Sequence, residues 1–386
     1  MTTTPDVMPL AHPTPRGDTT RAFRAVPLAI VLAGALAACG GTTQTVAPVN
    51  PKPTADQYVN PVIDADFPDP GVVHSSDGYY YAYATQTTGV RLQVARSQDL
   101  VAWTRLGEAL PIKPSWATTS NNFWAPDVHQ DGSTFVMFFT SDIDADKKLH
   151  ADDGKCIGVA TATTGAGPFT DVGAPLICGP GFTTIDPMAF HDPQSGKVYL
   201  YWGSDGAPIR VKELAADERS FADASAPIAL VSPSGVAGAY DANLIEGPWV
   251  TYHAPYYYLY FSGNGCCGAN AHYAVMVARA SSPTGPFEKL AGTNGAAQPI
   301  LRAGGKWTAP GHNSVVADAA GVEWMLYHAI DVNQPYLIPG RTDISRRPML
   351  IDRISYTSGW PTVATGGFPT SAPQTRPKTT AATTAP

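Results

Sequence analysis

The sequence is poor in charge and shows no metal-binding motif along the chain. Charged residues make up 15% of the 386 residues, and the formal net charge is -7. Without an excess of Lys and Arg there is no basic surface to neutralise phosphates, so no nucleic-acid partner is expected. No spacing of His, Cys and carboxylates specifies a zinc site. These absences favour a neutral partner, and a sugar fits.

Long helix-forming segments are also scarce, whereas residues typical of turns and strands are abundant. Gly and Pro number 36 each, and aromatic residues make up 10% of the chain. This composition is typical of many short strands joined by tight turns. The length permits two domains, but β-rich folds often exceed about 200 residues as a single domain.

The N-terminus has the features of an export signal. Three arginines precede the apolar run 25–38, which is short for a membrane span and ends in small residues. The sequence around Cys39 resembles a bacterial lipoprotein box, although an ordinary signal peptide with a chance cysteine is the alternative. We predict that residues 1–38 are a signal peptide and that Cys39 carries a lipid. The mature protein would then be anchored at the bacterial cell envelope, in the periplasm or at the cell surface, and would contact the membrane only through that lipid.

Two Thr- and Pro-rich segments lack any periodicity. Residues 39–59 are predicted to be a disordered linker and residues 363–386 a disordered tail. The remaining residues, 60–362, form one predicted domain.

Four further cysteines suit an oxidising compartment, because their number is even. We predict a disulfide between Cys156 and Cys178. The adjacent Cys266 and Cys267 could form a vicinal disulfide near a functional site. Four free thiols remain the alternative.

Five strand-like aromatic runs recur along the domain, and a short turn motif precedes each. One residue marks each motif: Asp69, Asp127, Asp186, Glu246 and His312. The markers are spaced by 58, 59, 60 and 66 residues. Repeats of this length with several strands each are typical of propeller blades. The predicted fold is all-β, a five-bladed β-propeller over residues 60–362.

Equivalent residues of the five blades should converge on one pocket at the axis. Cleavage of a glycosidic bond requires one protonated and one ionised carboxyl group across a sugar-sized pocket. Glu246 has apolar and aromatic neighbours, which raise a carboxyl pKa, so it is the candidate acid. Asp69 lies in a polar Pro-Asp-Pro turn and is the candidate base. Asp186 would raise the pKa of Glu246; a plain Asp-Pro turn is the alternative for both aspartates.

Other candidates are less specific. Trp124 and Phe67 are predicted to bind substrate, although core burial is as common for Trp. Asp127 could bind a sugar hydroxyl or close a turn. His312 could donate to a hydroxyl, serve a structural role or contact a metal-bound water.

The order and spacing of these motifs resemble glycoside hydrolase family 43. The residues that carry the likeness are Asp69-Pro70, Ile185-Asp186-Pro187, Ile245-Glu246-Gly247-Pro248 and Gly311-His312-Asn313. The resemblance implies a five-bladed propeller and hydrolysis with inversion. It also implies that Asp69 is the general base, Glu246 the general acid and Asp186 the pKa modulator.

The same resemblance sets further expectations. It implies that no cofactor is required for the chemistry and that His312 approaches a calcium ion through water in the central channel. An arginine of the last blade would bind substrate, and Arg346 is preferred to Arg341 and Arg347. The Cys266-Cys267 pair and the closing segment 346–361 look more like the arabinan-acting branch. The expected activity is therefore that of an arabinan endo-1,5-α-L-arabinosidase or an α-L-arabinofuranosidase on arabinan or other arabinose-containing plant cell-wall polysaccharide, and a monomer is expected. A β-xylosidase and a non-catalytic sugar-binding propeller are the alternatives. Endo and exo action stay open.

Overall fold

The computed structural model describes residues 53–364 and 366–379. In this part of the chain the secondary structure is β-strand, apart from one 3-10 turn at Thr293–Gly295. None of its helical segments is long and apolar enough to cross a membrane. The predicted signal peptide, Cys39 and most of the predicted linker lie outside the described residues.

The predicted five-bladed β-propeller is confirmed. After a short first strand, β1 (Gln57–Tyr58), the strands form five antiparallel sheets that follow the chain order. The first two sheets are blade 1, with β2 (Gly71–His74), β3 (Tyr80–Ala84), β4 (Gln93–Ser97) and β5 (Thr104–Glu108), and blade 2, with β6 (Phe123–Asp131), β7 (Thr134–Asp142), β8 (Asp153–Ala162), β9 (Thr170–Asp171) and β10 (Ile177–Pro180).

The remaining strands form three further blades and a final short strand. They are blade 3, with β11 (Met188–His191), β12 (Val198–Trp202), β13 (Ile209–Glu213) and β14 (Ile228–Val231); blade 4, with β15 (Ile245–His253), β16 (Tyr256–Gly263), β17 (Ala274–Ala280), β18 (Glu288–Lys289) and β19 (Pro299–Leu301); blade 5, with β20 (Trp307–Ala317), β21 (Glu323–Asp331), β22 (Met349–Thr357) and β23 (Trp360–Val363); and β24 (Gln374–Thr375).

The aromatic runs that mark the repeats are the second strands of the blades. They are buried on both faces, as β16 shows with Tyr258, Leu259 and Tyr260 all at most 1% exposed. Neighbouring blades pack these faces together, so the largest apolar cluster spans blades 3, 4 and 5. Burial of large aromatic side chains between sheets provides most of the stabilisation of such a layer.

At least one residue before or within each innermost strand has a left-handed backbone. These turn residues are Asp69, Ala125, Asp186, Gly247 and, in β20, both Ala309 and His312, with φ between 44° and 60°. All of them except His312 precede a proline, which cannot donate to the strand ladder, and the register shifts there in β6, β15 and β20. Such bulges redirect side chains, here toward the axis.

The prediction of a wholly disordered tail is wrong for the residues that the structure describes, and the prediction of a disordered linker over 39–59 is wrong at its end, because β1 lies within it. The tail strand β24 pairs with β1, with Tyr58 opposite Gln374. Thr370 donates to Asp352 at 2.6 Å, and the Arg376 guanidinium lies 2.9 Å from Asp99. The first and last segments of the domain are therefore tied together, because each offers the other an unpaired strand edge.

Both cysteine pairs lie within bonding distance. Cys156 and Cys178 are opposite each other on β8 and β10, with a Cα–Cα distance of 4.0 Å. Cys266 and Cys267 form a vicinal disulfide in the loop between β16 and β17.

Candidate active site

A cleft opens at the end of the propeller where the innermost strands begin. It encloses about 650 Å³, and its lining includes Asp69, Asp186, Glu246, His312 and Trp124. The repeat therefore brings together the three candidate catalytic carboxylates and the candidate histidine, as expected from their register.

Asp69 is held as a carboxylate. Its Oδ1 accepts a hydrogen bond from Arg347 at 3.0 Å, and its Oδ2 accepts one from the Thr85 hydroxyl at 2.6 Å. Burial alone would raise the pKa of Asp69, but the Arg347 guanidinium together with the contacts of His312 and His328 more than offsets this and holds the pKa well below its usual range. At neutral pH this group can only accept a proton.

The pKa values of Asp186 and Glu246 are raised, in contrast to that of Asp69. Burial raises the pKa of Asp186 well above its usual range, and the charges of Glu246 and Asp69 raise it further. Burial also raises the pKa of Glu246. Because two neighbouring carboxylates resist ionising together, the pair retains a proton to higher pH than either group would alone.

Donors outside the repeat motifs orient Glu246. The Ser204 hydroxyl donates to Oε2 at 2.6 Å, and the Tyr273 hydroxyl donates to Oε1 at 2.8 Å. These bonds favour the ionised form and partly offset the effect of burial on the pKa of Glu246. Sequence reasoning missed Ser204 and Tyr273, since neither belongs to a recurring motif.

His312 contacts both aspartates. Its Nδ1 lies 3.6 Å from Asp69 Oδ1 and 3.7 Å from Asp186 Oδ2. Burial lowers the pKa of His312, so the ring is neutral at neutral pH. Gly247 makes this approach possible, because a Cβ at its position would lie 3.1 Å from His312 Nδ1. Its N–H also donates to Asp186 Oδ2 at 3.1 Å.

The side chains around His312 do not make a calcium site by themselves. Calcium takes about six to eight oxygen ligands, whereas His312 offers nitrogen and faces carboxylates that are already engaged. In the described part of the chain, three close metal-ligating side chains instead occur at His129, His191 and Glu218.

The choice of Arg346 as the substrate-binding arginine is not supported by its position. Arg346 pairs with Asp64, whereas Arg347 lines the cleft and contacts Asp69. Successive residues of an extended segment point to opposite sides, so only one of the two arginines can face the axis. The sequence contains no signal that distinguishes them.

Two other expectations need correction, and one residue lies where it was expected. Phe67 is fully buried in the core beside blade 5, so it cannot contact substrate. Asp127 is buried and accepts a hydrogen bond from the Ala189 N–H at 2.8 Å, which ties blade 2 to blade 3. Trp124 lies on the cleft wall, half-buried, with its ring 6.0 Å from and parallel to that of Phe182.

The cleft continues beyond the carboxylates. A second section of about 600 Å³ shares part of its lining with the first, namely Thr85, Gln86, Trp124, Cys267, Asp343 and Arg347. Cys267 of the vicinal disulfide thus forms part of the wall common to both sections. A cleft of this combined volume can accept a chain of several sugar units.

The arrangement can perform acid–base chemistry across a sugar-sized space. One wall carries a carboxyl group whose lowered pKa favours its ionised state, and another carries a carboxyl pair whose raised pKa values favour a protonated state. Hydrolysis of a glycosidic bond needs these two states together.

Comparisons with known proteins agree with this chemistry. The sequence profile of glycosyl hydrolases family 43 matches residues 58–361. The chain is 28% identical over 313 residues to the arabinan endo-1,5-α-L-arabinosidase A of Aspergillus niger, covering 76% of this chain and 90% of that protein. A probable enzyme of the same name from Aspergillus fumigatus is 28% identical over 312 residues, with the same coverage.

A solved structure gives the same result. The crystal structure of a thermostable family-43 glycoside hydrolase superposes with a TM-score of 0.67 at 28% identity, covering 84% of this chain and 100% of that one. The match of the family profile spans well over half of the sequence and includes every candidate catalytic residue. The chain belongs to glycosyl hydrolase family 43.

Proposed function

We propose that the protein hydrolyses α-1,5-linked arabinan, cutting within the chain and inverting the anomeric centre. The observation that carries the proposal is the placement of the three carboxyl groups around one cleft, with Asp69 hydrogen-bonded to Arg347 and Glu246 hydrogen-bonded to two hydroxyls. These surroundings lower the pKa of Asp69, and burial raises the pKa of Asp186 and Glu246. Two relatives that align with this chain over 90% of their own length are named arabinan endo-1,5-α-L-arabinosidases. Their name supports arabinan as the substrate.

The geometry assigns a role to each carboxyl group. Glu246 gives its proton to the glycosidic oxygen as the bond to the anomeric carbon breaks. Asp69 takes a proton from a water molecule, and that water attacks the anomeric carbon from the opposite face. Asp186, held by the Gly247 N–H, keeps the pKa of Glu246 high enough for proton donation. One acid and one base suffice, so no cofactor is required.

The two-section cleft supports endo action. Both sections share one wall that includes Trp124 and Arg347, so a polymer bound at the carboxylates can continue into the second section. A pocket closed at one end would restrict the enzyme to chain ends. No observation favours the β-xylosidase alternative, and a purely sugar-binding propeller would not need the separated pKa values.

The test is a time course on linear debranched arabinan, with xylan in parallel. Endo action should release a mixture of oligosaccharides early, with a fast fall in viscosity, and proton NMR should show the β-anomer forming first. Release of arabinose or a single short oligomer from the start would refute endo action while leaving the hydrolase intact. No turnover of either polymer by folded protein would refute the enzyme itself.

We also propose that the mature protein is an exported, lipid-anchored monomer. The basic residues and apolar run before Cys39 support export and lipidation. Membrane fractionation of bacteria that express the full chain tests the anchor. Cys39→Ser should move the protein from the membrane to the soluble fraction, and an unchanged distribution would refute lipidation at this residue.

A further inference from the structure

Two histidines lie at the far ends of two innermost strands, away from the catalytic carboxylates. His129 is near the end of β6 and His191 ends β11, whereas Asp69 and Asp186 precede β2 and β11. The two histidines are therefore at the opposite face of the propeller. Glu218, in the turn between β13 and β14, reaches the same place.

The three side chains converge on one point. Nε2 of His129 contacts one oxygen of Glu218, and Nε2 of His191 lies 3.4 Å from the other oxygen. The two imidazole rings are 4.4 Å apart at their centroids. One ligating atom from each residue lies within 4.8 Å of the other two, which is the spread of ligands around a single ion.

Glu218 is an unusual residue for its position. Its backbone is left-handed, with φ of 55°, and its side chain is only 6% exposed. Non-glycine residues adopt this conformation at a cost, and such strain is concentrated at functional sites. Among the ion pairs of the described residues, Glu218 faces only the two histidines and neither Lys nor Arg. A buried carboxylate with no permanent cation is costly unless something else neutralises it.

His129 and His191 provide two nitrogen ligands beside the Glu218 carboxylate. His129 Nδ1 is buried without a hydrogen-bond partner, so its ring makes polar contact only through Nε2. His191 is 44% exposed and borders an open hollow that His74, Ser75 and Gln130 also line. Water can reach the cluster from this side and complete a fourth coordination position.

We propose that His129, His191 and Glu218 bind a divalent transition-metal ion, with zinc as the first candidate, which joins blade 2 to blade 3. Two imidazoles, one carboxylate and one water form a common tetrahedral zinc set. Calcium and magnesium prefer oxygen and are not expected to bind. The site is separate from the cleft, and it does not depend on the proposed function.

The test uses the full-length purified protein after treatment with a chelator. Titration with zinc chloride in a calorimeter should give one equivalent per chain, and the Tm should rise with zinc concentration because the ion binds the folded state. Cobalt substitution should give the intense visible absorption of tetrahedral coordination. An excess of calcium chloride should not displace zinc from the site, because calcium prefers oxygen ligands.

Variants distinguish a metal site from a cluster in which His129, His191 and Glu218 only hydrogen-bond to one another. His191→Ala, at the most exposed of the three positions, should fold and lose zinc binding, and Glu218→Gln should lose it as well. The matched control is His74→Ala, which lines the same hollow without belonging to the cluster and should bind zinc as the parent does. Absence of stoichiometric binding by the folded parent, or equal binding by His191→Ala, would overturn the proposal.

Discussion

The contact between Arg347 and Asp69 makes a quantitative prediction about the pH dependence of the enzyme. The Arg347 guanidinium nitrogen lies 3.0 Å from Asp69 Oδ1, and both side chains are largely buried, at 13% and 11% exposure. Two charges about 4 Å apart interact by about 4 kcal/mol at an effective dielectric constant of about 20. That energy corresponds to about 3 pKa units, and partial exposure reduces the expected shift to about 1–3 units.

Arg347→Gln should therefore raise the pKa of Asp69 by about 1–3 units. Since the base must be ionised, the acid limb of kcat/KM should move to higher pH by the same amount. Arg347 also lowers the pKa of Asp186 and Glu246, so its removal should move the alkaline limb upward as well. The assay is kcat/KM on a linear arabino-oligosaccharide across the pH range in which the protein stays folded.

Arg346→Gln is the matched control, because the neighbouring guanidinium pairs with Asp64 and not with Asp69. Its pH profile should match that of the parent. An acid limb that stays in place in Arg347→Gln, or one that moves equally in Arg346→Gln, would refute the assignment of Arg347 as the group that keeps Asp69 ionised.

Stability gives a second readout of the same interaction. Because the folded-state pKa of Asp69 is depressed, its contribution is present above the unfolded-state pKa of about 3.9 and is lost as pH falls through the folded-state value. The Tm difference between the parent and Arg347→Gln should thus narrow as the solution is acidified. A Tm difference that does not change with pH would show that Arg347 stabilises the fold by an interaction other than that with Asp69.

Two further predictions concern Gly247 and Tyr273, which lie beside Glu246. Gly247→Ala should lower both Tm and activity, because it adds about 1–2 kcal/mol of left-handed strain and places a Cβ 3.1 Å from His312 Nδ1. The control Gly196→Ala also has a positive φ but has open space around its Cβ, so it should lower Tm alone; an equal loss of activity in both variants would contradict a role for the Gly247–His312 contact. Tyr273→Phe removes a donor to Glu246 and should move the alkaline limb of kcat/KM up by about 1 unit or less; Tyr257→Phe, which loses an equivalent bond to Asp192, should leave that limb in place.

The repeat could be found in the sequence because every blade begins with the same kind of turn. A left-handed residue followed by proline recurs at 69, 125, 186, 247 and 309, and in blade 5 His312 follows this turn as a second left-handed residue. This periodicity predicted the fold and the convergence of the carboxylates. The spacing alone could not resolve a shift of two residues in blade 2, where Ala125 takes the turn position and Asp127 points into the blade interface.

Other features lie outside what a linear pattern can encode. The Thr- and Pro-rich tail has the composition of a disordered segment, yet β24 finds an unpaired edge at β1 that only the closed propeller creates. The sequence shows no zinc motif because His129, His191 and Glu218 come from different strands and turns of two blades. Their proximity depends on how blades 2 and 3 pack.

Position and protonation in this site have separate origins. The repeat places Asp69, Asp186 and Glu246 on neighbouring blades, and symmetry of position alone would give them similar pKa values. The asymmetry comes largely from residues outside the repeat motifs, because Arg347 and His328 contact Asp69 and favour its ionised form, while no cation is hydrogen-bonded to Glu246. The five-fold repeat therefore builds the pocket, and these two residues of the last blade favour Asp69 as the base.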